Sequence, residues 1–186
     1  MKDTLNFNIE KLKDFDDHKL IVFLTDQSCG LTGFITVHRG GHIKPAFGAT
    51  RFWKYKSELE ALADSLKLSK MMSYKSALAG LKYGGAKAVI LNPRSGQRSN
   101  LFRAYARKVN ALGGQFITGA DVGVNSKDLE ILASESNFIV GQKSDPVKFT
   151  SLGVLYSIQT CLKQIFGDES IEGRTFAIQG IGKTGT

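Results

Sequence analysis

The sequence has little cysteine and histidine, and it contains no long apolar run. Its two cysteines, Cys29 and Cys161, lie far apart and form no CxxC pair, and only three histidines accompany them. This composition argues against a structural zinc site and against a secreted fold held together by disulfides. The N-terminal segment lacks the continuous apolar stretch of a signal peptide, and no apolar span of 18 residues occurs. We therefore expect a cytoplasmic protein without a bound metal or a membrane partner.

The chain also lacks any run of five or more basic residues, although it carries a formal net charge of +8. That charge favours an anionic partner: nucleic acid, a phosphate-bearing cofactor or a carboxylate substrate. Because the basic residues are spread from Lys2 to Lys183, nucleic acid is the weakest of the three and we expect none. With 186 residues, of which 42% are hydrophobic, the chain is long enough for one well-buried domain, or for one domain and part of another.

Apolar periodicity and turn residues predict strands that alternate with helices. The predicted strands cover residues 19–24, 31–37, 86–91, 115–118, 138–140 and 175–179. The predicted helices are a short one that ends near residue 16, then 57–80, 99–112, 125–134 and 150–166. Ser57 and Glu60 fit a capping box at the start of the second helix. Alternation of this kind indicates a three-layer α/β domain.

The last predicted strand leads into a glycine turn with the sequence Gly180-Ile-Gly182-Lys-Thr-Gly185. The pattern GxGxxG after a strand is typical of a dinucleotide-binding turn, in which glycines let the backbone approach a pyrophosphate. A phosphate loop is a weaker alternative, because that motif requires glycine at position 177 and this chain has Ala177. A glycine-rich turn without a ligand stays open as a further interpretation.

Two lysines and an aspartate form the sharper candidate site. Lys75 lies near the end of a predicted helix, and Lys87 opens a buried strand behind the paired glycines Gly84 and Gly85. A lysine in a closed, partly desolvated cleft near a second lysine has its ammonium form disfavoured and can act as a base. Asp121, after the next strand, can share a proton with that base or bind a substrate ammonium. The alternative is that both lysines are solvated surface residues and that Asp121 caps a helix or a turn.

Four stretches of the chain resemble the Glu/Leu/Phe/Val amino-acid dehydrogenase family, and the leucine and phenylalanine dehydrogenase branch looks nearest. They are AFGATRFW at 46–53, MSYKSA at 72–77, GLKYGGAKAVI at 80–90 and GADVG at 119–123. The resemblance covers essentially the whole chain, in the family's order. It implies an α/β/α domain with a mixed sheet, followed by the first strand and glycine turn of a Rossmann domain.

The resemblance also implies NAD-dependent oxidative deamination of a hydrophobic, leucine-like L-amino acid to the 2-keto acid and ammonia. By match to the family's motifs, Lys87 resembles the general base that activates water on the iminium, and Asp121 resembles the aspartate that moves protons with it. Lys75 resembles the lysine that binds the substrate α-carboxylate. Gly48 falls on a glycine that lines the substrate cleft, and Phe47 falls on the hydrophobic pocket for the substrate side chain.

The same resemblance implies where the cofactor binds. Thr150 matches a threonine near the nicotinamide amide, and Gly180, Gly182 and Gly185 match the turn that binds the dinucleotide. NAD is the expected cofactor, and NADP stays open.

The domain plan follows the family as well. We expect residues 1–149 to form a substrate-binding and oligomerisation domain, 150–170 a helix and linker, and 171–186 the start of a dinucleotide-binding domain. We also expect a homo-oligomer, and no turnover from these 186 residues alone, because nearly all of the nucleotide domain is absent from them. An alternative of a different class is a non-catalytic dimerisation or assembly module of the same fold.

Two positions depart from the family's pattern. Ala49 stands where the family usually has a second glycine, which narrows the substrate cleft by a methyl group. Ala120 replaces an acidic residue that is common in the leucine branch just before the aspartate. Both departures bear on which amino acid is the substrate.

Overall fold

A computed structural model describes residues 8–40, 44–93, 96–142, 146–182 and 184–185, apart from the side chain of residue 146. The chain divides into two compact units, Met1–Gln142 and Lys143–Thr186. The first unit holds all the assigned strands and three α-helices, and the second holds one long helix.

The first unit is built on a six-stranded mixed sheet. Its strands are β1 (Leu20–Asp26), β2 (Leu31–Val37), β3 (Ala46–Phe47), β4 (Thr50–Trp53), β5 (Gly84–Leu91) and β6 (Phe116–Ile117). The order is β1-β2-β5-β3-β6, and β4 pairs with β5 further along the same side. The β1–β2 and β2–β5 pairs are antiparallel, whereas β3 and β4 run parallel to β5 and β6 runs parallel to β3. The predicted mixed sheet is therefore confirmed.

Helices cover both faces of this sheet. They are α1 (Glu58–Leu78), α2 (Arg98–Ala111) and α3 (Ser126–Glu135). Because side chains alternate along a strand, Val89 of β5 joins a small core with Leu62 and Leu66 of α1. Ala88 and Ile90 point to the other face and join the larger core with α2 and α3. The predicted three-layer α/β/α arrangement is confirmed.

Capping residues fix where the helices begin and end. Ser57 Oγ accepts a hydrogen bond from the amide of Glu60 at 3.1 Å, as predicted for the start of α1. The Glu60 carboxylate accepts from the amide of Lys56 instead of that of Ser57, so the reciprocal bond is displaced by one residue. Gly80 has a φ of +66°, which suits the left-handed position just after a helix end. Asn125 begins α3 with a complete capping box.

The N-terminal segment differs from its prediction. Instead of an α-helix that ends near residue 16, it contains a single 3-10 turn, Ile9–Lys11, and Phe7 lies outside the described residues. Ile9, Leu12 and Phe15 all pack against the core on the α1 side. These three side chains are therefore covered by the core of the domain, although the segment does not form a continuous amphipathic helix.

Residues 138–140 are also less regular than predicted. They form one isolated bridge, between Thr118 and Ile139, instead of a strand. The amide of Thr118 donates to the carbonyl oxygen of Phe138 at 3.0 Å, and the amide of Val140 donates to the carbonyl oxygen of Thr118 at 2.8 Å. The segment is therefore held at the sheet edge by a single paired residue.

The second unit consists of α4 (Pro146–Phe166) and an irregular tail. The helix begins four residues before the predicted start at Thr150. Residues 175–179 do not form the predicted strand, and they are exposed. A strand needs a hydrogen-bonded neighbour, and the described part of the chain offers this segment none. No helix in the described residues is both long and apolar enough to cross a membrane.

Candidate active site

The paired glycines of β5 let α1 lie directly against that strand. A Cβ atom at Gly85 would overlap the backbone nitrogen of Ser73 in α1. The amide of Gly85 donates to Ser73 Oγ at 3.0 Å, which ties the helix to the strand. Gly84 is equally constrained, because a Cβ there would overlap the carbonyl group of Arg39. Since Gly85 and Lys87 are two residues apart on one strand, Lys87 lies on the same face of the sheet, under α1.

Lys87 and Asp121 form an ion pair on this face. Lys87 Nζ lies 2.7 Å from Asp121 Oδ2, and only 6% of the Lys87 side chain is exposed. Asp121 follows β6, and its amide donates to the carbonyl oxygen of Thr50 in β4 at 3.0 Å. That bond holds the carboxylate beside β5. The structure thus brings together the two residues that the sequence singles out as base and proton partner.

The protonation of this pair is set by burial and by charge. Burial lowers the pKa of Lys87, and the attraction of Asp121 offsets this only in part. Burial opposes ionisation of Asp121, but the hydrogen bond and charge of Lys87, helped by the amide of Val122 and by Arg51, keep the pKa of Asp121 below its ordinary value. Asp121 is therefore a carboxylate at neutral pH. Lys87 loses its proton more readily than an exposed lysine does.

Arg51 supplies a like charge that acts on Lys87 and that the sequence does not single out. The guanidinium of Arg51 lowers the pKa of Lys87 and bonds to Asp121 at 2.9 Å through Nε. Lys75 lies in the last turn of α1 and is exposed. Its role as a ligand of the substrate carboxylate therefore stays a prediction.

Gly48 and Phe47 lie on β3 and its extension, beside β5. A Cβ atom at Gly48 would overlap the carbonyl oxygen of Ala86 and lie 3.1 Å from the ring of Phe116. Glycine at 48 is thus required by the close approach of the two strands, a reason that the sequence alone does not reveal. Phe47 is half-buried, stands opposite Gly85 in register and packs on the ring of Tyr83 with centroids 5.3 Å apart. It therefore shares a sheet face with Lys87.

The predicted cofactor-binding residues lie in the second unit. Thr150 is in the first turns of α4. Gly180 has a φ of +95°, and a Cβ at Gly185 would overlap the carbonyl oxygen of Gly180, so the two glycines close a tight turn. A dinucleotide site also needs a paired strand before this turn and a helix N-terminus after it, and the described residues form neither. The turn is therefore one part of such a site, and the assignment of Gly180, Gly182 and Gly185 to the cofactor stays a prediction.

Three residues around the ion pair were not predicted. Arg51 Nη1 donates to Asp64 Oδ2 at 2.9 Å, and the hydroxyl of Tyr55 donates to the same oxygen at 2.5 Å. Arg51 belongs to the stretch AFGATRFW, but its neighbours come from other elements. The available signal was alternation on the strand, which puts Arg51 two residues from Ala49 on one face.

A second group of hydrogen-bonded side chains stabilises the contact between α1 and β5. His38 is buried and its Nδ1 lies 2.8 Å from Ser73 Oγ, while its Nε2 lies 3.0 Å from Asp16 Oδ2. Ser73 is also the residue that accepts from the amide of Gly85.

Among the described residues, no group of three or more His, Cys, Asp or Glu side chains is arranged to hold a metal ion.

A comparison with known proteins identifies the family. The model of the Glu/Leu/Phe/Val dehydrogenase dimerisation domain matches residues 19–138. The chain belongs to the Glu/Leu/Phe/Val dehydrogenase family. This confirms the resemblance inferred from the four sequence stretches, all of which lie within residues 19–138.

Individual members of the Glu/Leu/Phe/Val dehydrogenase family align with most of the chain. Leucine dehydrogenase of Bacillus subtilis is 37% identical over 173 residues, which cover 89% of this chain and 47% of that enzyme. Phenylalanine dehydrogenase of Lysinibacillus sphaericus is 38% identical over 185 residues, which cover 96% of this chain and 48% of that enzyme. The crystal structure of L-tryptophan dehydrogenase from Nostoc punctiforme is similar with a TM-score of 0.71 and 37% identity, covering 90% of this chain and 49% of that one.

These homologues are amino-acid dehydrogenases, which are oxidoreductases. The chain spans about half the length of the curated relatives it matches.

Proposed function

We propose that the protein to which this chain belongs catalyses the NAD-dependent oxidative deamination of a hydrophobic, leucine-like L-amino acid to the 2-keto acid and ammonia. The observation that carries this proposal is the buried Lys87–Asp121 pair, with 2.7 Å between Nζ and Oδ2, in a member of the Glu/Leu/Phe/Val dehydrogenase family. Relatives named for leucine and phenylalanine, at 37% and 38% identity, support a hydrophobic substrate.

Lys87 acts as the general base in this proposal. Once the α-amine of the substrate has been oxidised to an iminium, water attacks the iminium carbon and neutral Lys87 Nζ takes a proton from that water. Asp121 stays ionised and stabilises the ammonium that forms on Lys87. The nicotinamide supplies the hydride acceptor when it is bound. Burial supports this role, because it lowers the pKa of Lys87 and so favours the neutral form that the base needs.

Substrate binding falls to residues around Lys87. Lys75 binds the α-carboxylate, and its exposed ammonium at the end of α1 is available for an anion. Phe47 contacts the side chain of the substrate, supported by its half-buried ring beside Tyr83. Gly48 forms the floor of the cleft, supported by the close approach of its backbone to Ala86.

The cofactor, the domain plan and the assembly belong to the same proposal. Residues 1–149 bind substrate and associate with a second copy, which the family description as a dimerisation domain supports. Residues 150–170 connect to a dinucleotide-binding part that starts at 171–186, where Thr150, Gly180, Gly182 and Gly185 contact the cofactor. NAD is proposed over NADP from the sequence resemblance alone.

The proposal is tested by assaying the full polypeptide of this reading frame for NADH formation with L-leucine, L-valine, L-phenylalanine and L-glutamate. We expect NADH from the hydrophobic amino acids, much less from L-glutamate, and none from D-leucine, which serves as the stereochemical control. An absence of NADH with every amino acid would refute the proposal. A preference for L-glutamate would refute the hydrophobic substrate but keep the reaction.

A further inference from the structure

We propose that Arg51 is a positioning residue that holds Asp121 against Lys87 and is itself fixed to α1 through Asp64 and Tyr55. The inference rests on the proposed role of Lys87 as a base and extends it to a residue that contacts the reacting lysine only through Asp121. The family resemblance assigns no role to Arg51, Asp64 or Tyr55, and this proposal assigns one to all three.

The contacts of Arg51 suit a planar group that bridges two carboxylates. Its Nε donates to Asp121 Oδ2 at 2.9 Å, and its Nη1 donates to Asp64 Oδ2 at 2.9 Å. Tyr55 donates to the same oxygen of Asp64, at 2.5 Å, and so limits where that carboxylate can lie. A guanidinium presents its donors in a rigid fork, whereas a lysine ammonium cannot span two carboxylates in a fixed plane.

Asp121 receives both cations on one atom. Oδ2 lies 2.7 Å from Lys87 Nζ and 2.9 Å from Arg51 Nε. The bond from Arg51 therefore fixes the same oxygen that faces the proposed base. Without it, the carboxylate would be oriented by its own backbone, by the amide of Val122 and by Lys87.

The position of Arg51 on β4 explains why its guanidinium reaches Asp121 beside Lys87. Arg51 is opposite Val89 in register, and Val89 lies on the α1 face of β5. Lys87 is two residues before Val89 and lies on that face as well. About a quarter of the Arg51 side chain is exposed, so the guanidinium lies largely between the sheet and α1. Arg51 thus joins β4, α1 and the segment after β6 around one lysine.

The charges that face Lys87 have opposite effects on its proton. They are Asp121 from the segment after β6, Arg51 from β4 and Asp64 from α1. Arg51 lowers the pKa of Lys87, whereas Asp64 raises it. Removal of the Arg51 charge raises the pKa of Lys87 directly, whereas release of Asp121 lowers it, because Asp121 raises that pKa. A variant that keeps the charge but cannot bridge the two carboxylates isolates the positioning role: the pKa of Lys87 should then fall.

The test is a direct titration of Lys87 in the 186-residue chain by NMR of ¹³C-labelled lysine side chains, with Lys87→Met used to assign the resonance. We expect Arg51→Lys, which keeps the charge but cannot bridge Asp121 and Asp64, to shift the Lys87 titration to lower pH, because Asp121 is no longer held against Lys87. Asp64→Asn should also shift it to lower pH, because a negative charge and the anchor of Arg51 are both lost. Tyr55→Phe leaves both charges in place and is the matched control, with the smallest expected shift.

An unchanged or upward-shifted Lys87 titration in folded Arg51→Lys would overturn the proposal, since Asp121 would then keep its place without the Arg51 fork. If Arg51→Lys fails to fold, as judged by circular dichroism, Asp64→Asn decides: an unchanged titration overturns the proposal, and a downward shift supports it.

A second readout uses the full polypeptide. Arg51→Lys should lower kcat for deamination by about 10- to 100-fold, with KM nearly unchanged, because a misplaced catalytic group costs rate more than binding. An unchanged kcat in an active enzyme would contradict the positioning role. The NMR shifts do not depend on turnover. If they occur while the wild-type polypeptide deaminates nothing, the proposed function fails and the electrostatic network stands.

Discussion

The substitution Gly85→Ala tests how β5 and α1 create the site. The added Cβ atom would overlap the backbone nitrogen of Ser73 and lie 2.5 Å from the carbonyl oxygen of Ser69. Both contacts are with helix backbone, so no flexible side chain can move aside, and α1 must shift as a body. Overpacking of this kind costs about 1–3 kcal/mol. The shift also breaks the 3.0 Å bond from Gly85 to Ser73 Oγ, at a cost of about 1 kcal/mol.

Together these effects predict a loss of about 2–4 kcal/mol in the free energy of unfolding. For a protein of this size, that corresponds to a Tm lower by about 4–16 °C, measured by circular dichroism or calorimetry. Gly113→Ala is the matched control, since its Cβ would meet nothing within 4 Å and only its φ of +59° opposes alanine. The control should cost about 1 kcal/mol. The packing argument is refuted if Gly85→Ala is no less stable than Gly113→Ala.

Three further predictions concern substrate, acid stability and specificity. Lys75→Ala should raise KM for the amino acid by about 10- to 100-fold in the full polypeptide, while Lys82→Ala, at another exposed lysine, leaves KM unchanged; equal KM values would remove Lys75 from the site. Burial lowers the pKa of His38, so the unfolded chain binds the proton first and Tm should fall as pH drops below 6.5. His38→Gln should lose less Tm over that range, and equal losses would contradict the assignment. Ala49→Gly removes the methyl group that register places opposite Lys87, and it should raise kcat/KM for L-phenylalanine relative to L-valine by about 10-fold; an unchanged ratio argues against Ala49 as a limit on substrate size.

Features that depend on one element alone could be predicted from the sequence. Ser57 and Asn125 begin their helices because a side-chain oxygen accepts from the first-turn amides, and that pattern is visible in a few consecutive residues. Gly80 ends α1 for an equally local reason, its left-handed backbone. Short continuous runs of apolar, β-branched and aromatic residues bounded by turn residues likewise place β1, β2 and β5, because a strand buried on both faces needs no polar side chain along its length.

Features that depend on a partner from elsewhere in the chain could not be predicted from the sequence. The ion pair of Lys87 and Asp121 was expected from motif resemblance, but Arg51 was missed because its two carboxylate partners lie on α1 and after β6. The need for glycine at 48 comes from the carbonyl of Ala86 on a neighbouring strand, which no local pattern reveals. Local apolar pattern also predicted too much: residues 175–179 have strand composition but no paired neighbour among the described residues.

The measurement that tests the central claim most directly is the deamination rate of Lys87→Met in the full polypeptide, with Tm measured on the same sample. Loss of a general base predicts a kcat lower by about 100- to 10,000-fold. Stability should fall, because the partly buried Asp121 carboxylate loses Lys87, while its bond to Arg51 limits the loss; kcat is therefore compared below the Tm of the variant. Lys82→Met, at an exposed lysine, should change neither value. A kcat for Lys87→Met close to that of the wild type would contradict the assignment of Lys87 as the base.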